Sequence, residues 1–215
     1  MKILSKLRTC DVLTISMLIG AAAVLILSAF AGFAEECDAV RGEVLRLHIL
    51  PHSNNEHDLA LKYDLRDYLL DELAIALDGA ANLEQAKELA ESNLPEIEQL
   101  AARFVKSAGF DYPVTVSLET AWFGTRVYEN LTMPAGEYYA MRVVIGDGAG
   151  DNWWCVAFPP LCLPAVAGTG SGAGAGNSKA AKEPYFTPEA SRLIEQGGKV
   201  EVRFAVYEWV LKRLR

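Results

Sequence analysis

The run VLTISMLIGAAAVLILSAFAGFA, from Val12 to Ala34, carries no charged residue and only Thr14, Ser16 and Ser28 as mildly polar interruptions. About 20 such residues in a helix satisfy their own backbone groups across a bilayer core, so this stretch enters or crosses a membrane. Lys2, Lys6 and Arg8 form the basic flank before it, which places the chain beyond Ala34 outside the cytosol. Length does not separate a cleaved leader from a retained anchor. Ala29-Phe30-Ala31 and Gly32-Phe33-Ala34 offer the small side chains a signal peptidase needs, which predicts a soluble mature chain beginning near Gly32 or Glu35. Left uncleaved, residues 12–34 hold the protein on the membrane.

Compartment decides how the rest is read. The formal charge of −8 becomes −10 without residues 1–34, whose charges are Lys2, Lys6, Arg8 and Asp11, so nucleic acid is excluded as a natural partner. In an oxidising setting Cys155 and Cys162 read by default as a disulfide, whereas Cys10 belongs to the leader and Cys37 is left odd.

Periodicity divides the remainder. Leu45, Leu47 and Ile49 alternate with Arg46 and His48, a strand stopped by Pro51. Leu61, Leu65, Leu69, Leu73 and Leu77 recur at helical spacing from Asp58 to Leu77, and Asp78-Gly79 supplies the stop. A second helix spans Leu83 to Ala108 and ends at Gly109, with Pro95 either kinking it or restarting it from Asn93. Alternation then returns in Val114, Val116 and Leu118 and in Tyr139, Met141, Val143 and Ile145, with a short polar strand around Arg126 to Asn130 between them, which predicts an antiparallel meander.

The tail from Lys199 fits both periods and is read as a strand turning into a short basic helix. The predicted organisation is thus a signal peptide or membrane anchor at 1–34, an α+β domain at 35–163, a flexible Gly/Ala-rich insertion or linker at 164–184, and a C-terminal piece at 185–215 packing back on the domain. The fold class is α+β: a mostly antiparallel sheet against a layer of two long helices.

No catalytic or cofactor signature is complete along this frame. Gly146, Gly148 and Gly150 follow a strand but are spaced G-x-G-x-G with no helix behind them, and the glycines at 170–176 lack the Lys-Ser/Thr ending of a P-loop. Cys155 and Cys162 do not make a C-x-x-C pair, and His48, His52 and His57 do not have metal-ligand spacing. No cofactor or metal is expected. His48 reads as a sheet residue, His52 and His57 as solvated loop residues, and Asp64, Asp67, Asp71 and Glu72, interspersed with Lys62 and Arg66, as the wet face of the first helix.

Trp153 and Trp154 point to opposite faces of one strand, so only one indole can enter the core with Val156 and Phe158. Trp154 is assigned to that side and Trp153 to a solvent-facing rim. Gly148, Gly150, Asn152, Trp153 and Phe158 are therefore the candidate partner-binding residues, in a loop stiffened by Pro159, Pro160 and a Cys155–Cys162 bridge.

LRLHIL with Ser53, ALKYDLRD at 60–67, and PAGEYYAMRVVIGDGAGDNWWCVAFPPLC at 134–162 together resemble the stage II sporulation protein R family. The family pattern has Ala-Asn-Ser where this chain has Pro51-His52-Ser53. The resemblance implies a sporulation signal exported into the space between forespore and mother-cell membranes. It implies as partner a membrane-embedded aspartic protease, whose activation leads to maturation of a mother-cell sigma factor. It implies a ligand and not an enzyme. The competing class is an exported hydrolase of wall or peptide using His48 with an acidic partner.

Overall fold

A computed structural model describes residues 9–128, 131–159, 186–195 and 201–214. The apolar run forms the first part of one continuous helix, α1 (Thr9–Arg41). Residues 12–29 of it are exposed, but Phe33, Cys37 and Val40, at helical spacing, are buried in the domain. Helix and domain are thereby one unit, because a single stripe of α1 continues from the apolar run into the core.

β1 (Leu45–Leu50) is followed by α2 (Glu56–Ala76) and α3 (Leu83–Ser107). Asn55 starts α2: its Oδ1 accepts from the Asp58 backbone N–H at 2.8 Å, satisfying a donor that the first turn cannot pair internally. Pro95 does not restart α3, which runs through it unbroken. Asn93 is no cap either; its Nδ2 donates to Leu89 O at 2.8 Å and reaches Ala76 O at 3.5 Å, tying α3 to the end of α2.

β2 (Val114–Phe123), β3 (Arg126–Tyr128), β4 (Leu131–Met133), β5 (Gly136–Ile145) and β6 (Trp153–Phe158) complete the strands, with β3 and β4 pairing as a separate ribbon. The expected meander is replaced by the order β2-β5-β1-β6, in which β1 lies between β5, parallel to it, and β6, antiparallel to it. Burial explains the insertion. Leu45, Arg46, Leu47, His48 and Ile49 are all buried, and a strand covered on both faces belongs in the middle of a sheet. The sheet remains mostly antiparallel and the class α+β.

One face carries Leu45, Leu47, Ile49, Val116, Met141, Val143 and Ile145 against Leu61, Leu65, Leu69 and Leu73 of α2 and Ile97, Ala101 and Val105 of α3. The other face is covered as well, which strand alternation did not announce. Tyr138, Ala140, Val156 and Phe123 pack there with Phe33, Cys37 and Val40, and with Ala190 and Leu193 of α4 (Pro188–Glu195) and Tyr207 of α5 (Glu201–Leu214). Arg46 is completely buried in this layer, its guanidinium 4.5 Å from the Phe123 ring centre and 5.1 Å from that of Tyr138. The tail is helical from Glu201 on, so the strand expected through Val202 and Phe204 is not formed. Residues 160–185, including the Gly/Ala-rich run, lie outside the described residues, as do Lys199 and Val200.

Candidate functional site

The glycine loop between β5 and β6 is laid against the loop between β1 and α2. Ala149 N–H donates to His52 O at 3.2 Å, Gly150 N–H to Pro51 O at 3.1 Å, and Asp151 N–H to Asn54 Oδ1 at 2.6 Å. His52 Nδ1 accepts from Asp147 N–H at 3.1 Å while its ring stacks on Tyr112 with centroids 4.3 Å apart, so His52 is a structural contact and not a solvated loop residue.

This approach is what the glycines are for. A Cβ on Gly150 would lie 2.6 Å from Pro51 Cγ and 2.7 Å from the Ser53 carbonyl carbon; one on Gly148, at φ +61, would lie 2.7 Å from Val144 Cγ1. All three distances are inside contact range, and Gly148 also requires a left-handed backbone. Gly148 and Gly150 are thus required by internal packing, which accounts for both glycines without a partner.

Below the seam, the buried Asp58 carboxylate accepts from Ser53 Oγ at 2.6 Å, Asn55 Nδ2 at 2.8 Å and Tyr112 OH at 3.2 Å. Lys62, expected on the wet face of the helix, is 2 % exposed and donates from Nζ to Asp151 O at 2.9 Å. Burial holds its pKa below the ordinary lysine value, partly offset by Asp151. A charged lysine is tolerated there because a carbonyl and the Tyr63 ring, 4.7 Å away, replace water. Asp64, Asp67 and Asp71 are exposed as expected, and so is His57.

Asn152 and His48 make the inner end of the loop. The Asn152 side-chain amide lies 3.0 Å from His48 Nδ1, and the buried Nε2 on the other side of the ring lies 3.6 Å from Glu119 Oε1. The His48 ring stacks on Trp154 at 5.3 Å and meets the edge of Phe123 at 5.7 Å. Burial, then the neighbouring Arg142 and Arg46 charges, push its pKa down to about 4, so it is neutral at neutral pH. A ring enclosed by two aromatics, 4 % exposed and with Nε2 buried is closed off from a substrate that it would have to deprotonate, so the hydrolase reading loses its central residue.

The tryptophan pair differs from its expected division. Both are half-buried, one on each face of β6. Trp154 sits with His48 and Phe123 in the second layer, 4.6 Å from the latter's ring centre, and Phe158 does not accompany it. The β1–β6 register shifts at Leu45/Arg46, which carries Phe158 to the helix-facing core, where it is 3 % exposed and out of reach of a partner. Trp153 lies under α2: the Tyr63 ring meets it edge-on at 5.4 Å and the Arg66 guanidinium lies 4.7 Å over it and 5.2 Å over Tyr63.

Of the five expected partner residues, Trp153 alone presents a large side chain to a solvent-facing patch, and that patch also contains Tyr63, 39 % exposed, and Arg66. Sequence reasoning misses both, because it takes Arg66 as part of a polar face and does not single out Tyr63. Their spacing of three, which stacks neighbouring side chains on one helix side, was the available signal.

Cys155 is held in a disulfide, and Cys37 is a buried free thiol. Cys162 lies outside the described residues. No group of three or more His, Cys, Asp or Glu side chains is placed to hold a metal ion among the described residues.

Fold and site together define a small α+β domain carried on an apolar N-terminal helix, with a loop seam beside an aromatic patch whose guanidinium, Arg66, is paired with Asp67 at 2.6 Å. The chain belongs to the stage II sporulation protein R family, whose model matches residues 41–167, and its role is in sporulation. It is 34 % identical over 149 residues to the stage II sporulation protein R of Bacillus subtilis (strain 168), covering 65 % of this chain and 66 % of that relative, just under two thirds of its length. No solved structure matches the chain. The apolar α1, with Val12–Arg41 long and apolar enough to cross a membrane, is compatible with export or anchoring.

Proposed function

We propose that the protein is an extracytoplasmic signalling ligand that activates a membrane-embedded aspartic protease, and through it the maturation of a mother-cell sigma factor. Its site of action is the space between the forespore and mother-cell membranes, and it acts by binding, without catalysis of its own. Membership of the sporulation family supports the setting. The observation that carries the binding role is the Tyr63–Arg66–Trp153 patch: two aromatics and a guanidinium stacked at the surface, the residue types that dominate protein interfaces. The patch is preorganised, since Trp153 extends from the seam that the glycine loop makes with the β1–α2 loop, and little rotamer freedom is left to lose on binding.

The test is reconstitution of the protease in vesicles with the full-length protein and its Trp153→Ala variant. An interface tryptophan typically carries 2 kcal/mol or more, so the variant is expected to need about thirtyfold more protein for half-maximal activation. Normal activation by a folded Trp153→Ala protein refutes the assignment of the patch, and failure of the wild-type protein to activate refutes the ligand reading.

A further inference from the structure

Helix α5 has two faces. Tyr207 is buried, and its ring centre lies 5.9 Å from that of Phe30 and 5.6 Å from that of Phe33. Its hydroxyl accepts from Arg41 Nη2 at 2.9 Å, and Arg41 Nη1 also donates to Ala135 O at 3.0 Å, so one side chain joins α1, α5 and the start of β5. Leu211, one turn on, packs in the same cluster. Opposite them, Trp209 is 62 % and Val206 49 % exposed, and the Arg213 guanidinium lies 5.7 Å over the Trp209 ring. Lys212 pairs with Glu208 at 2.9 Å, which leaves Arg213 as the unneutralised cation of the last described turn.

The position of this exposed face identifies its occupant. Residues 12–29 of α1 are exposed on every side, whereas from Phe30 on one face is covered while Ala31 and Gly32 stay exposed, so Tyr207, docked on Phe30 and Phe33, lies level with the last turn of the apolar run before Glu35. Trp209 follows two residues later. A helix rises about 1.5 Å per residue, so Trp209 cannot be more than a few ångströms along α5 from that level. Tryptophan with arginine, in an otherwise acidic protein of charge −8, at the depth where a membrane helix leaves the hydrocarbon, is the composition of an interfacial anchor: the indole sits among headgroups and the cation meets lipid phosphate.

We propose that α5 is a second membrane contact, laid on the anionic bilayer surface beside the exit of α1 with Trp209, Val206 and Arg213 toward the lipid. The inference rests on α1 remaining in the membrane. Together the two contacts set the domain's orientation, which a single helix crossing the bilayer leaves free to rotate.

The experiment reconstitutes full-length wild type and Trp209→Phe in phosphatidylglycerol/phosphatidylcholine vesicles, with and without lipid brominated on the acyl chain near the glycerol. Flotation is measured on the same samples. Trp209 is one of four tryptophans, so bromolipid is expected to remove roughly a quarter of wild-type emission at equal quantum yields and almost none in Trp209→Phe. Replacing phosphatidylglycerol by phosphatidylcholine weakens the quenching. Equal quenching in wild type and variant, with both proteins floating, overturns the α5 contact alone. Trp209 shielded from aqueous iodide but untouched by bromolipid overturns it in favour of a second copy on this face. A protein that does not float overturns the anchor and the inference with it.

Discussion

Gly150→Ala probes the seam on which the site depends. The added methyl would stand 2.6 Å from Pro51 Cγ and 2.7 Å from the Ser53 carbonyl carbon, and the latter is backbone that no rotamer change can move. Relief requires the two loops to part. Separation stretches Gly150 N–H to Pro51 O, now 3.1 Å, and Ala149 N–H to His52 O, now 3.2 Å. Overpacking of this kind costs about 1–3 kcal/mol, and each lost hydrogen bond adds about 1 kcal/mol, for a loss of roughly 3–5 kcal/mol. At about 2–4 °C per kcal/mol for a chain of this size, the melting temperature should fall by roughly 10 °C.

Gly79→Ala is the control: its φ is +84 but no atom lies within 4 Å of the new Cβ, so only the left-handed backbone costs, about 1 kcal/mol. Both variants are melted as full-length protein in detergent, followed by circular dichroism and tryptophan emission. Should Gly150→Ala lose no more than Gly79→Ala, the loops are not in contact and the rigidity argued for the patch is gone.

Stability should also respond to His48. Its folded pKa of about 4 lies below the ordinary 6.5, so the unfolded chain takes up a proton first as pH falls. The contribution is fully present above pH 6.5 and is lost as pH drops toward 4, a total of about 3 kcal/mol by linkage. Urea unfolding across that range should show this slope in wild type and a flatter one in His48→Leu; equal slopes would refute it. If Cys155 pairs with Cys162, Cys162→Ser should cost about 2–3 kcal/mol through the short loop closed, measurable in the same unfolding assay, and dithiothreitol should no longer shift the variant's midpoint. A reductant effect that persists in Cys162→Ser would mean another pairing.

The apolar run at 12–34, the leucine stripe of α2, the hydrophobic stripe of α3 and the inward sets of β1, β2 and β5 were legible in the sequence, because each follows from a local period that burial imposes on one face. The α+β class and the family resemblance followed from their order and from three quoted motifs. What the sequence did not carry was decided where elements distant in the chain meet. β1 is an interior strand of the sheet because α1, α4 and α5 cover a face that alternation marked as polar, and only packing from both ends of the chain makes Arg46 and His48 buried residues. The register shift at Leu45/Arg46 moves Phe158 into the core, and no period in β6 reports a shift set by its partner strand. Of the glycines in the β5–β6 loop, Gly146 and Gly148 supply the bend through positive φ, but Gly150 is room for another backbone, since a missing side chain in the sequence says that something comes close without saying what. Trp153 was singled out by residue type alone, but its companions Tyr63 and Arg66 come from a helix ninety residues earlier in the chain, brought beside it by the shared core and by no local preference.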